Sequence, residues 1–203
     1  MTVTWLGHAC FALESEGYRI VIDPYREIPF PPLAVEAHAV CCSHGHYDHA
    51  ATETVTLLPA KDSPFIVTEI PTFHDEVRGA KRGENTVRVF EAEGVRVAHL
   101  GDLGHLLSEE QLAALGEIDV LLIPVGGVYT LDPQEAKQTA DAIAPKIVVP
   151  MHYRRGNLGL SNIADVSEFL RFYSPGQVQE CPFAGFDPAD YGRDTVVLPT
   201  FGA

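Results

Sequence analysis

Short alternating runs of hydrophobic and polar residues dominate the first half of the chain. CFALE and RIVID stand on either side of the turn sequence Ser-Glu-Gly-Tyr, which predicts a β-hairpin. TVRVFEA and VRVAHL flank Glu93-Gly94 and predict a second hairpin. The period of two in this second hairpin predicts an apolar face and a charged face: Val87, Val89, Val95 and Val97 against Arg88 and Arg96.

Apolar runs alternate with helical patterns in the second half. SEEQLAALGE predicts a helix capped by Ser108, with Gln111 completing a capping box. DPQEAKQTADAIA predicts another, with Asp132 as N-cap, Pro133 at the first helical position and Glu135 three residues after the cap. SNIADVSEFLRFY predicts a last helix, while DVLLIP, KIVVP and TVVLP predict buried strands. Hairpins followed by this alternation predict an α/β fold with helices outside mixed sheets.

Length and composition are typical of one globular domain, residues 1–203. Of the 203 residues, 46% are hydrophobic and 21% charged, close to the average for globular proteins. No apolar run approaches the roughly twenty residues of a membrane span, and the N-terminus lacks a secretory-signal pattern. We interpret the cysteines, which form no C-x-x-C pair, as buried reduced thiols of a cytoplasmic protein: Cys10, Cys41, Cys42 and Cys181.

Acidic residues outnumber basic ones, 28 against 14, which gives a net charge of −14. Binding a nucleic-acid backbone needs a basic stripe, so we expect no nucleic-acid partner. An anionic small substrate stays compatible with this charge, because bound metal cations dominate the field of their own site. We therefore expect a small-molecule substrate, and the sequence leaves the oligomeric state open.

The segment HGHYDH concentrates metal-ligating side chains, His44, His46, Asp48 and His49. Imidazole and carboxylate groups suit zinc, manganese or iron. HAVCC predicts a strand leading into the segment, and DHAATETVTLL after it predicts a helix. On a tight loop after a strand, the first two histidines can share one metal while the Asp and the last His turn towards another.

Further candidate ligands follow other predicted strands. Asp102 ends VRVAHLGD, His152 ends KIVVPMHY, and His74 follows PFIVTEI. Loops at strand ends carry active sites in layered α/β proteins, so these side chains are expected to converge with HGHYDH. His99 and His105 flank Asp102 and are alternatives to His74, although His99 is also explained as a half-buried strand residue.

These residues, in this order, resemble the metallo-β-lactamase superfamily. The likeness rests on HGHYDH, His74, the Gly101-Asp102 pair and His152. TWLGHACF, PTFHDE, HLGDLGH, LLIPVGGVYT and VVPMHY further resemble the small stand-alone bacterial hydrolases of the UlaG-like (L-ascorbate-6-phosphate lactonase-like) branch. The resemblance implies a four-layered αββα sandwich, with two mixed sheets flanked by helices and a dinuclear metal site at one edge.

The resemblance also implies two divalent ions, with Zn²⁺ preferred over Mn²⁺. By this analogy the ligands divide into one set, a second set and a bridging residue: His44, His46 and His74; Asp48, His49 and His152; and Asp102. Di-iron oxidoreductases of the superfamily carry Glu in place of His46, so this histidine favours hydrolysis. The loop that holds His8 is expected near the metals.

The expected reaction is hydrolysis of a small ester, lactone or phosphodiester by a hydroxide held on two metals, since a metal lowers the pKa of its water to about 7. Candidate catalytic residues are Asp48, His105 and Tyr129, the last two as proton donors. Candidate substrate contacts are His8, His105 and Tyr129, although a surface role explains the tyrosine equally well. His38 is interpreted as structural. A metal-dependent oxidoreductase or dioxygenase of the same fold, and a non-catalytic metal-binding protein, remain alternatives, because fold does not decide function.

Overall fold

The first sheet is built on the hairpin that CFALE and RIVID predict. In the computed structural model, which describes residues 1–202, β2 (Cys10–Ser15) pairs antiparallel with β3 (Tyr18–Ile22). Glu16 and Gly17 in the turn have φ of 50° and 69°, as a two-residue hairpin turn of this type requires. The strand order is β13-β1-β2-β3-β5, with the other strands at Thr2–Gly7 (β1), Ala39–Cys41 (β5) and Gly185–Phe186 (β13).

The second sheet has seven strands in the order β12-β14-β11-β10-β9-β8-β7. The strands are Ile66–Phe73 (β7), Glu84–Ala92 (β8), Val95–His99 (β9), Val120–Pro124 (β10), Ile147–Met151 (β11), Val178–Cys181 (β12) and Thr195–Pro199 (β14). Strands β9 to β12 and β14 run parallel, while β7 and β8 are antiparallel additions. The carboxyl ends of β9 and β11 therefore open at the same edge. This is the mixed-sheet α/β architecture that the sequence predicts.

Two helices begin where their capping sequences predict. Ser108 and Gln111 form a capping box at the start of α1 (Glu109–Leu115). Asp132 caps α2 (Pro133–Ile143), with a proline at the first position and Glu135 closing the box. α1 contacts β7 and α2 contacts β10, so both cover the second sheet. No helix within residues 1–202 combines the length and apolar character needed to cross a membrane.

Two predicted helices differ from the structure. DHAATETVTLL forms a short 3₁₀ turn, Thr52–Thr54, followed by the strand β6 (Val55–Leu57), which pairs with β4 (Val35–Ala37). Its run of β-branched threonines and valine favours extended backbone over helix. The last helix, α3 (Val166–Leu170), starts later than predicted because Asp165 is its N-cap.

The faces of the second hairpin also differ from the prediction. β8 and β9 pair with Val89 opposite Ala98, so Val89 shares a face with Arg96 while Arg88 shares the other face with Val97. The predicted division into an apolar and a charged face was wrong. Residues on both faces of β8 are buried, because this strand lies inside a layered structure and not at its surface.

The hydrophobic core joins the inner residues of both sheets, with Phe11 and Leu13 from the first and Phe90 and Leu122 from the second fully buried. All four cysteines are free, but only Cys10 and Cys181 are buried; Cys41 and Cys42 are half-buried. Burial raises the pKa of the Cys42 thiol to about 11, as expected for an unreactive thiol.

Candidate metal centre

The HGHYDH segment lies in the turn after β5, at the edge where the two sheets meet. Asp48 and His49 are buried there, His44 is half-buried and His46 is exposed. Asp102 follows β9 and lies within 3.9 Å of this segment, so strand ends from both sheets deliver side chains to one place.

One carboxylate oxygen of Asp102 lies at the centre of a ring of histidines. Its Oδ2 is surrounded by four Nε2 atoms, from His49 and His74 at 3.2 Å, His152 at 3.4 Å and His44 at 3.9 Å. Two ligands of a tetrahedral zinc, each about 2.0–2.1 Å from the ion, lie about 3.4 Å apart. These separations suit donor atoms that share an ion.

Three sets of side chains have ligand atoms within 4.8 Å of one another; two of them share no residue, and the third joins Asp23 to His44 and His49. The open group is His44, His46 and His74. The buried group is His8, Asp48, His49 and His152. The structure thus brings together the residues that the sequence analysis divides between two ions, and it adds His8 to the second set.

Several of these donor atoms have no hydrogen-bond partner within residues 1–202. His44 Nε2, His49 Nε2 and Asp102 Oδ1 are buried and unpartnered, as are both ring nitrogens of His8. Burying so many unsatisfied polar atoms in one place is costly. Imidazole and carboxylate donors of this kind are the ligands that Zn²⁺ and Mn²⁺ take, so the residues fit a pair of divalent ions.

Asp23, at the end of the strand RIVID, orients two of these histidines. Its carboxylate accepts hydrogen bonds from His49 Nδ1 at 2.8 Å and from Ser43 Oγ at 2.6 Å. Because the Ser43 proton is donated to Asp23, the 2.9 Å contact between Ser43 Oγ and His44 requires His44 Nδ1–H as donor. When these two rings are neutral, Nε2 keeps its lone pair and faces the cluster, which is the form that binds metal.

The turn that carries Asp102 is fixed by Asn85 in β8. Asn85 Oδ1 accepts the backbone N–H of Asp102 at 3.0 Å, and its Nδ2 donates to Leu100 O at 2.9 Å. Gly101 has φ of 56°, and a Cβ there would overlap both Asn85 Oδ1 and Ser43. Only glycine allows this close approach between the two strands and the metal-site turn.

The backbone is strained at His8 and His152, which contact each other beside the cluster. Both are non-glycine residues in the left-handed region, with φ of 53° and 52°. The backbone N–H of His152 donates to His8 O at 3.2 Å, and Trp5 Nε1 donates to the same oxygen at 3.0 Å. This arrangement brings His8 Nε2 to 3.5 Å from Asp48 Oδ2.

Asp75 organises the loop that carries His74. Its buried carboxylate accepts the backbone N–H groups of Val77, Gly79, Lys81 and Arg82. Burial opposes ionisation of Asp75, but these four donors outweigh it and lower its pKa to about 2. The backbone N–H of His74 also donates to Gly83 O at 3.0 Å, so the two ends of this loop meet at His74.

A cavity of about 370 Å³ opens over the cluster, a volume suited to a small molecule. Tyr129 lies in its wall, and its hydroxyl accepts a 2.7 Å hydrogen bond from Asn162 Nδ2. The wall combines members of both donor groups with other side chains: His46, Tyr47, Asp48, His74, Arg82, Asp102, Tyr129, His152, Leu160 and Asn162.

Burial sets the charge state of His44 and His8 in the absence of metal, whereas Asp102 and Asp23 outweigh burial at His49 and raise its pKa well above the usual value. Burial lowers the pKa of His44 to about 3, with His49 adding to the effect, and that of His8 to about 4, with His152 adding. Both rings are therefore neutral near pH 7. Burial also disfavours the charge on Asp102, but His152 and His49 outweigh it and hold the pKa of this carboxyl well below its usual range.

Three other histidines lie outside the cluster. His105, predicted as a substrate contact and proton donor, accepts Phe73 N–H at Nε2 and has Nδ1 at 2.8 Å from Leu106 O; it lines a different cleft. His99 is buried against Ala9 O at 2.8 Å. His38 accepts a backbone N–H in the first sheet, in keeping with a structural role. Neither His99 nor His105 is close enough to replace His74.

The sequence analysis did not single out Asp23, Asn85 or Arg82. Asp23 could have been predicted from the sequence, because it stands at the end of the apolar strand RIVID. Asp102 was predicted from a similar position, close to the end of another apolar strand. Asn85 lies within a strand and Arg82 in a loop, and neither position has a local pattern that points to the site.

Comparison with known proteins identifies a matching family model and several relatives of this chain. A family model described as the beta-lactamase superfamily domain matches residues 2–152. A UPF0173 metal-dependent hydrolase of Methanoculleus marisnigri is 34% identical over 184 residues, 75% of this chain and 81% of that protein. A UPF0173 protein of Pyrococcus furiosus is 31% identical over 200 residues, 84% of this chain and 90% of that protein.

A crystal structure from Thermotoga maritima is also similar. That protein, described as a candidate Zn-dependent hydrolase of the metallo-β-lactamase superfamily, is 39% identical, with a TM-score of 0.76 and 98% of both chains covered. The finer likeness to the UlaG-like branch stays a prediction. The family match, the sequence relatives and the shared fold show that the chain belongs to the metallo-β-lactamase superfamily.

Proposed function

We propose that this metal-dependent hydrolase binds two divalent ions, Zn²⁺ or Mn²⁺, and cleaves a small ester, lactone or phosphodiester. The observation that carries the proposal is the meeting of two donor groups at Asp102 Oδ2. The open group would hold one ion, Asp48, His49 and His152 the other, and Asp102 would contact both. When bound, such ions polarise a carbonyl or phosphoryl oxygen and make water a nucleophile at neutral pH.

Tyr129 is placed to donate a proton or a hydrogen bond to the substrate. Because Asn162 Nδ2 donates to the Tyr129 oxygen at 2.7 Å, the phenol's own O–H is free to point into the cavity. We therefore propose that the Tyr129 O–H donates to an oxygen of the leaving group or to another oxygen of the substrate. His105 has no part in this proposal, because both its ring nitrogens are engaged with backbone groups in another cleft.

Asp48 stays ionised beside the cavity. Burial opposes its charge, but His8 and His49 outweigh burial and hold its pKa below the usual range. It therefore serves as a ligand and as a hydrogen-bond acceptor for water that enters the cavity. His8, 3.5 Å from Asp48 Oδ2 and fully buried, limits where this carboxylate can lie.

The test is metal content followed by turnover. Protein stripped with a chelator should lose hydrolysis of 4-nitrophenyl acetate, γ-butyrolactone or bis(4-nitrophenyl) phosphate, and zinc or manganese should restore it, with two ions bound per chain. Unchanged turnover in fully stripped protein would contradict the proposal. Bound iron with oxygen consumption would indicate an oxidoreductase of the same fold.

A further inference from the structure

Arg82 is the one charged residue of the cavity wall that belongs to neither the donor groups nor Asp102. The other half-buried arginines of the described chain pair with carboxylates: Arg19, Arg88, Arg96 and Arg154. The Arg82 guanidinium has no carboxylate within 4.0 Å among residues 1–202, and its one side-chain hydrogen bond goes to Val128 O at 2.9 Å. The chain has twice as many acidic as basic residues, yet none of the acidic ones, all of them among the described residues, pairs with this half-buried cation. Arg82 is therefore available to bind an anionic ligand.

Contacts of both its backbone and its side chain hold Arg82 in place. Its backbone N–H donates to the buried Asp75 carboxylate at 2.8 Å, within the loop that also carries His74. Its guanidinium lies 5.6 Å from the ring centre of Tyr129, and Tyr129 is in turn bonded to Asn162. The loop that contains Asp75, the ring of Tyr129 and, through that ring, Asn162 therefore hold the Arg82 guanidinium at the cavity wall. Most of its five N–H donors remain unused.

The surroundings of Arg82 define what can bind there. Tyr47, Tyr129 and Leu160 provide apolar wall, and Asn162 provides an amide. A guanidinium fork recognises the planar oxygens of a carboxylate or the oxygens of a phosphate, and a partly buried one does so strongly. Four metal-donor side chains line the same cavity: His46, Asp48, His74 and His152.

We propose that Arg82, with Tyr129 and Asn162, forms an anion subsite, so that the substrate carries a carboxylate or phosphate group apart from the bond that is cleaved. This inference rests on the proposed function, because it takes the bond at the metal centre as the one cleaved. It makes Arg82 a specificity-determining residue, and it narrows the substrates to small molecules with a separate negative charge and a short apolar connection.

Binding tests the inference without turnover. Calorimetry on zinc-loaded protein compares glutarate with glutaramate, in which an amide replaces one carboxylate at almost unchanged shape. The wild type should prefer glutarate by about 10- to 100-fold, the range of a charge-assisted hydrogen bond. Arg82→Gln should bring this ratio close to one, and Arg82→Lys should retain part of it. 3-Phosphonopropionate against glutarate separates a phosphate subsite from a carboxylate subsite.

Arg19→Gln is the matched control, because it removes the same charge from a half-buried arginine that is paired with Glu14 on the first sheet. It should leave the ratio unchanged. Equal affinity of the wild type for glutarate and glutaramate, no binding of either, or an unchanged ratio in Arg82→Gln would each overturn the subsite. Failure of every hydrolysis assay alongside an Arg82-dependent preference would instead count against the proposed reaction and leave the subsite standing.

Discussion

The two donor groups around Asp102 differ in how far they are shielded from solvent. All four members of the buried group are buried, and they come from the loop after β1, the HGHYDH segment and the residue after β11. In the open group only His74 is buried, and His46 is exposed. An ion in the buried group would be enclosed by several parts of the fold, whereas one in the open group would lie between the loops after β5 and β7 and face solvent.

Because of this difference, the two ions that we propose should differ in affinity. Ligands fixed by surrounding structure bind a metal more tightly than ligands that must be ordered on binding. We therefore expect the buried group to hold the tighter ion and the open group the more exchangeable one. Five substitutions test this comparison, from the largest expected effect to the smallest.

Asp102→Ala removes the one residue that both groups share. It should weaken metal binding in both groups, so that fewer than one ion is retained per chain. The value of kcat/KM should fall by on the order of 1,000-fold, since metal catalysis contributes several kcal/mol. Elemental analysis and steady-state kinetics measure both. Asp141→Ala, at an exposed carboxylate paired with Lys137, should change neither value. Two ions retained in Asp102→Ala would refute the shared role.

His152→Ala and His46→Ala distinguish the groups. His152→Ala should weaken the tighter ion by more than about 100-fold, since it removes a ligand and not a supporting contact. His46→Ala should weaken only the more easily chelated ion and leave the tighter one in place. Competition against a graded series of chelators measures each step. The comparison fails if the two variants lose the same ion.

Asp23→Asn affects the groups together, through the protons it fixes on His44 and His49. An amide can donate to these rings and so stabilise the wrong tautomer, which should lower affinity for both ions by about 10- to 100-fold. Chelator competition gives the affinities, and ¹⁵N NMR of the imidazoles reports the tautomers. Loss confined to the buried group would show that the link through Ser43 to His44 is unimportant.

Asp75→Asn should affect the open group alone, because it weakens the loop that carries His74. Amide exchange in residues 76–83 should rise by at least about tenfold, with a loss of metal affinity of about tenfold or less. Hydrogen-exchange mass spectrometry measures the first effect. Glu76→Gln alters an exposed neighbour of the same loop, paired with Lys81, and should leave exchange unchanged. A weaker buried site in Asp75→Asn would contradict the separation of the groups.

Much of this centre could be predicted from the sequence, because its ligands follow apolar strands in a characteristic order. HGHYDH, Asp102 and His152 are local signals at strand ends, and the capping sequences gave both longer helices. Asn85 and Arg82 could not be predicted in this way. Their roles depend on contacts with residues 15 or more positions away, at Leu100, Asp102 and Val128.

The errors in the fold have a common cause. The threonine-rich segment after HGHYDH forms β6 because β4 offers it a partner, and the faces of β8 and β9 follow a register that packing on both sides decides. Periodicity describes one segment at a time, so it does not detect a partner strand or a second covered face.

The left-handed backbone at His8 and His152 lowers the stability of the folded chain at two residues of the metal centre. Each such non-glycine residue costs about 1–3 kcal/mol, and glycine would adopt the same conformation freely. A library selected for heat resistance in the absence of metal should therefore enrich glycine at both positions and discard the imidazoles. Laboratory evolution of this scaffold needs metal in every round of selection, because bound metal stabilises the folded state and favours retention of these side chains.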